Sequence, residues 1–67
     1  MENEVVLRFE GLEQEGACQE IAQYIQKMPG IEYVDVHPSG RVTVVGGDID
    51  QLGLEDDIEA MGYPLLR

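Results

Sequence analysis

The feature that most constrains this chain is its apolar spacing, which switches along the sequence between a period of two and a period of about 3.6. Glu4 to Phe9 alternates. Val5, Leu7 and Phe9 fall on one side and Val6, Arg8 and Glu10 on the other, the pattern of a half-buried strand. Gly11 to Gly16 breaks the pattern and reads as a loop. From Ala17 to Met28, Ala17, Cys18, Ile21, Ala22, Tyr24, Ile25 and Met28 gather within an arc of about 160°, at 100° per residue. Gln19, Glu20, Gln23, Gln26 and Lys27 fill the remaining arc, so an amphipathic helix is expected, ended by Pro29-Gly30.

Ile31 to His37 and Arg41 to Val45 return to β-branched and aromatic residues, and Pro38-Ser39-Gly40 between them makes a hairpin turn. Val34, Val36, Val42 and Val44 are its expected inward residues. A second helix opens with Asp50 as N-cap, which sets Ile49 and Leu54 at the spacing of a hydrophobic staple. Leu54, Ile58 and Met61 share its apolar face, Leu52 falls out of phase, and Asp56 and Asp57 are expected to favour its positive end. Gly62 closes the helix. Tyr63 to Arg67 forms a last short strand in which Pro64 lacks a ladder donor, so it belongs at an edge.

The order strand, helix, strand, strand, helix, strand points to an α+β fold of the ferredoxin-like βαββαβ type. In it a four-stranded antiparallel sheet carries two helices on one face. Residues 1–67 form one domain in this reading. A chain this short buries only roughly 60% of its unfolded surface, which leaves little room for a substrate cleft beside a core. Neither a nucleophile–base pair, a phosphate loop nor a convergent carboxylate pair is present, and Ser39 and Thr43 read as a turn and a strand residue. An enzyme is not expected, and no cofactor is implied.

Four basic residues face fourteen acidic ones, a formal net charge of −10. Such a surface repels phosphate backbones and anionic lipid, which argues against nucleic-acid and membrane binding. A basic protein surface or a cation suits it better, and the charge also keeps a small protein soluble. The hydrophobic share of 43% is ordinary and argues against disorder. The single cysteine, Cys18, excludes an intramolecular disulfide. No apolar run is long enough for a membrane span, and the first ten residues do not read as a signal peptide. A reducing, cytoplasmic setting is the expectation.

Several short motifs occur in a telling order: Gly11-Leu12 after the first strand, Ile21 on the first helix, Met28-Pro29-Gly30-Ile31, Val34-Asp35-Val36, Val42-Thr43-Val44 and Gly62-Tyr63. Together they span nearly the whole chain, which resembles the heavy-metal-associated domain, the family of small copper chaperones, mercury-binding proteins and the N-terminal domains of metal-transporting ATPases. That resemblance implies soft-metal handling through a Gly-Met-x-Cys-x-x-Cys loop that opens the first helix. With Gly11 and Leu12 on the first two positions, Gln14 stands where the first cysteine would be and Ala17 where the second would be. Ile21 then follows Ala17 by the four residues the family's helix requires. Soft ions such as Cu(I) are held by thiolates, and here an amide and a methyl replace them. Glu13 and Glu15 are hard oxygen donors, too few for a tight hard-cation site.

Cys18 lies one residue, about 100°, beyond the second ligand position. It is read mainly as a small core hydrophobe and only secondarily as a metal ligand. His37 is a strand-end residue without a second ligand nearby; Met28 belongs to the core stripe and Met1 is the start residue. Tyr63 is expected to anchor in the core with its hydroxyl reaching water. Glu10, Glu13, Glu15 and Glu20, with Gln14, gather around the loop without a basic residue among them, and the resemblance makes this end the partner-docking end. The leading expectation is a non-catalytic acidic interaction module with this fold and without the thiolate site. It would meet a basic surface, with a metal-transport protein as the partner the resemblance implies. The alternative is a heavy-metal carrier with a non-standard site that includes Cys18.

Overall fold

A computed structural model describes residues 3–66 of the 67. The expectations placed on Met1 and Arg67 lie outside the described residues. The elements are β1 (Asn3–Arg8), α1 (Ala17–Gln26), β2 (Ile31–Val36), β3 (Arg41–Gly46) and α2 (Gln51–Ala60).

The strands pair antiparallel in the order β1-β3-β2, with Val5 opposite Val44, Leu7 opposite Val42, and Val34 and Val36 opposite Val44 and Val42. Alternation therefore puts Leu7, Val42 and Val44 on one face, where they are buried. Ile21 and Ile25 of α1 and Leu54 and Ile58 of α2 join the same core cluster, so both helices cover that face. The other face carries Val6 and Tyr33, both more than half exposed. Two helices over a three-stranded antiparallel sheet agree with the ferredoxin-like class.

The expected fourth strand is the main correction. Among the described residues, 63–66 form one isolated bridge, Phe9 with Leu65, rather than a strand. Two backbone bonds flank it, Glu10 N–H to Pro64 O at 2.8 Å and Leu66 N–H to Arg8 O at 2.9 Å. The tail thus lies along the free edge of β1, on the side away from β3. Pro64 can accept but not donate, which is why pairing stops at a single bridge.

Smaller corrections follow from local geometry. The first helix ends at Gln26, and Met28 N–H closes a turn onto Ile25 O at 3.0 Å. β2 ends one residue short of His37, β1 is displaced by one residue from the expected limits, and β3 starts at Arg41 as expected and runs one residue further, to Gly46. Between Ile31 and Tyr33 the register slips, leaving Glu32 as a bulge. At that point the backbones of Gly46 and Gly30 approach so closely that a side chain on Gly46 would run into the Gly30 carbonyl. Asp50 caps α2 as expected, accepting from Gly53 N–H at 3.1 Å. A Cβ at Gly53 would press on that same carboxylate, which would have to shift to make room for it. Asp56 and Asp57, by contrast, are the sixth and seventh residues of the helix, too far along to meet its positive end. Leu52, out of phase with the apolar face, is 73% exposed.

Candidate functional site

The loop between β1 and α1 is built by two consecutive turns, Gln14 N–H to Gly11 O at 3.2 Å and Ala17 N–H to Gln14 O at 3.1 Å. Leu12 is its anchor, sunk into the core with 1% exposure. Gly16, at φ 82°, turns the chain into α1 and caps it without a side-chain bond. The Gly16 carbonyl then accepts from Glu20 N–H at 2.9 Å. The sequence therefore holds the loop at both ends: an apolar plug near its start and a left-handed glycine at its close.

This frame fixes what each candidate residue presents. Gln14 is exposed, and its amide group and the edge of the Tyr63 ring each lie beside Gly11: a methyl group on Gly11 would come to 3.3 Å from Gln14 Nε2 and 3.4 Å from Tyr63 Cδ1. Ala17 points inward and is 1% exposed, packed with Leu12 and Ile21 in the core cluster. Cys18 is half-buried, and its thiol points at Leu12 O, 3.5 Å away. That contact stays within the loop–helix junction and packs the sulfur against the core.

Tyr63 is 8% exposed, the expected core anchor, but its hydroxyl does not go to water. It donates to Glu20 Oε1 at 2.8 Å, which ties the chain's last segment to the first turns of α1. The bond to that carboxylate, with burial adding to it, raises the Tyr63 hydroxyl above its ordinary range near 10. A second such link was not expected either. Tyr24, expected within the apolar arc, is 39% exposed, and its hydroxyl donates to Asp57 Oδ2 at 2.8 Å, which raises it in the same direction. Each bond joins α1 to a residue more than thirty positions away, a relation that no local pattern encodes.

Of the five residues singled out around the loop, Glu20 is bonded to Tyr63, and Gln14 lies with the Tyr63 ring beside Gly11. Glu10, Glu13 and Glu15 are exposed and, among the described residues, carry no side-chain hydrogen bond or ion pair. Residues 9–26 contain neither lysine nor arginine, so the loop's free charge is wholly negative. His37 is exposed at the hairpin, bonded locally to Ser39, whose N–H donates to His37 Nδ1 at 3.1 Å.

Tested as a soft-metal site, the loop does not fit. The two positions that would supply thiolates carry a neutral amide and a buried methyl, and the one sulfur nearby is turned to a backbone carbonyl. Among the described residues no three His, Cys, Asp or Glu side chains converge in a way that could hold a metal ion. No helix among them is long and apolar enough to cross a membrane.

The backbone matches known structures over nearly all of the chain. The chain has the metallochaperone fold. The CsoZ metallochaperone superposes with a TM-score of 0.89 at 23% identity, covering 100% of both chains. The CopZ metallochaperone gives 0.85 at 22% identity over 96% of this chain and 100% of that one. Oxidized MerP from Ralstonia metallidurans CH34 gives 0.84 at 22% identity over 98% and 96%. No protein-family model matches the sequence, nor does any curated protein. At these identities the likeness is one of backbone fold.

Proposed function

We propose that this 67-residue chain is a non-catalytic interaction module, one heavy-metal-associated-like domain serving metal homeostasis or transport, which has kept the metallochaperone fold and lost the thiolate grip. One observation carries the reading. The loop geometry is intact, held by Leu12, Gly16 and Tyr63, while its would-be ligand positions carry an amide and a core methyl. A loop held this firmly without donors suits recognition rather than metal exchange.

The recognising groups are Glu10, Glu13 and Glu15, free at the surface, with Gln14 beside them and Glu20 held back by Tyr63 as a support for that end. Their partner is a basic protein surface, for which a metal-transport protein is the natural class. Charges at the rim of such a contact act mainly on association rate and on salt dependence. The test is binding of the chain to purified soluble domains of metal-transport proteins, measured from low to physiological salt. Glu13→Lys/Glu15→Lys is expected to weaken binding and to flatten its decline with salt. Binding that ignores both salt and these reversals would refute the acidic docking surface.

A further inference from the structure

The helix-free face of the sheet departs from the rest of the molecule in charge and in apolarity. The register lays Arg8 directly opposite Arg41, Val6 opposite Thr43, and Glu4 opposite Val45. From β2 it adds Asp35 beside Thr43 and Tyr33 beside Val45. Val6 is 53% exposed and Tyr33 55%, and Leu66, whose N–H reaches Arg8 O on the free edge of β1, is 47% exposed. Among the described residues, three of the five large apolar side chains that stand out to solvent therefore border one sheet face.

Two of the three cations among the described residues, Arg8 and Arg41, sit there as a directly opposed like-charge pair, with Lys27 on the first helix's C-cap. Such a pair opposes folding slightly, and the one partner it has, Asp35 on Arg41 at 3.8 Å, is an exposed contact of little strength. Arg8 and Arg41 balance Glu4 and Asp35, so the register places zero net charge on this face in a chain whose total is −10. Contact through this face therefore brings together two surfaces that carry no net charge of one sign.

We infer that this face is where two copies of the chain associate, sheet to sheet, about a two-fold axis lying across the strands through Val6 and Thr43. That axis is selected by the charge pattern. A two-fold axis along the strands would set the arginine pair over its own image. The axis across them sets Arg8 of one copy over Glu4 of the other twice, and Val6 over Val6, as an isologous contact requires; Asp35, on the same line, meets its own image with Arg41 of its own chain beside it. Three strands of six residues cover a footprint of about 20 Å by 14 Å. That is below what a permanent dimer buries, so the association is of the transient class.

Sedimentation equilibrium of the whole chain tests this, run at about 0.15 M salt, where the Debye length is about 8 Å and long-range repulsion is screened. Across a range from about 10 μM to about 1 mM, the weight-average mass is expected to climb from the monomer's towards twice that value. Val6→Glu is expected to weaken association at least about tenfold with an unchanged circular dichroism spectrum. Leu66→Glu, in the tail outside the sheet, serves in its place if the strand signal is lost. Arg8→Glu is expected to weaken association, and Arg8→Glu/Glu4→Arg to restore it. A mass that stays monomeric throughout, a Val6→Glu chain that associates like the native one, or a double swap without recovery would each overturn the proposal.

Discussion

Gly40 and Gly62 form a matched pair on which the packing account can be tested. Both hold nearly the same backbone angle, φ 108° and φ 106°. Replacing either by alanine therefore imposes similar left-handed strain, about 1–2 kcal/mol. Their surroundings differ. A methyl group on Gly62 meets nothing within 4 Å, whereas one on Gly40 would run into the carbonyl oxygen of Phe9. Backbone cannot swing aside as a side chain does, and the strand it belongs to is locked to Gly40 by the Phe9 N–H to Gly40 O bond at 2.9 Å. Relieving the clash means losing that bond at a buried residue, a further cost of about 1–3 kcal/mol. Gly62→Ala is thus expected to cost about 1–2 kcal/mol and Gly40→Ala about 2–5. The whole domain, at 67 residues, has roughly 3 to 10 kcal/mol to lose. Urea denaturation resolves the difference. With a slope near 1 kcal/mol per molar, the Gly40→Ala midpoint is expected about 1–3 M below that of Gly62→Ala. Equal midpoints would refute the claim that the hairpin turn is pressed against the start of the loop.

Other outcomes follow from the same geometry. Ile58→Ala, at a fully buried position shared by α2 and the sheet, is expected to cost about 2–5 kcal/mol by denaturation, whereas Leu52→Ala two turns earlier is expected to change stability by less than about 0.5. The hydroxyls of Tyr24 and Tyr63 are both raised above the ordinary tyrosine value. A raised folded-state value adds stability that is complete below the unfolded value near 10 and is lost as pH rises through the folded one. Alkaline melting is therefore expected to show stability falling above about pH 10, and Tyr24→Phe/Tyr63→Phe to flatten that fall. An unchanged alkaline slope in the double variant would contradict the two carboxylate bonds.

The sequence discloses the elements whose signal is local. The two-residue period of Val5 to Phe9, the helical arc around Ile21 and Ile25, and the Asp50 cap are each carried within a single segment, and each is found where expected. Relations between segments are hidden from it. Tyr24 fits the apolar arc on a helical wheel, yet α1's buried strip is the narrower Ala17, Ile21 and Ile25, and the phenol turns out to Asp57. The tail has strand-forming residues, but whether it pairs depends on what β1 offers along its edge, and Pro64 removes a donor at the decisive point. The candidate site divides in the same way. The resemblance implies that Gln14 and Ala17 stand at the family's ligand positions, and that register could be laid from Gly11 to Ile21 because both lie within one segment. That Glu20 is held by Tyr63, so that it supports the loop while Glu10, Glu13 and Glu15 remain free, depends on a contact spanning 43 positions.

Cu(I) titration of the native chain beside Gln14→Cys/Ala17→Cys, against a competing chelator and with metal counted per chain, bears most directly on a loop preserved without its ligands. The native chain is expected to leave the copper with the chelator and the double variant to take up about one ion, because thiolates select Cu(I) where an amide and a methyl offer it nothing. Stoichiometric copper on the native chain would contradict the account and assign the binding to Cys18 and its surroundings.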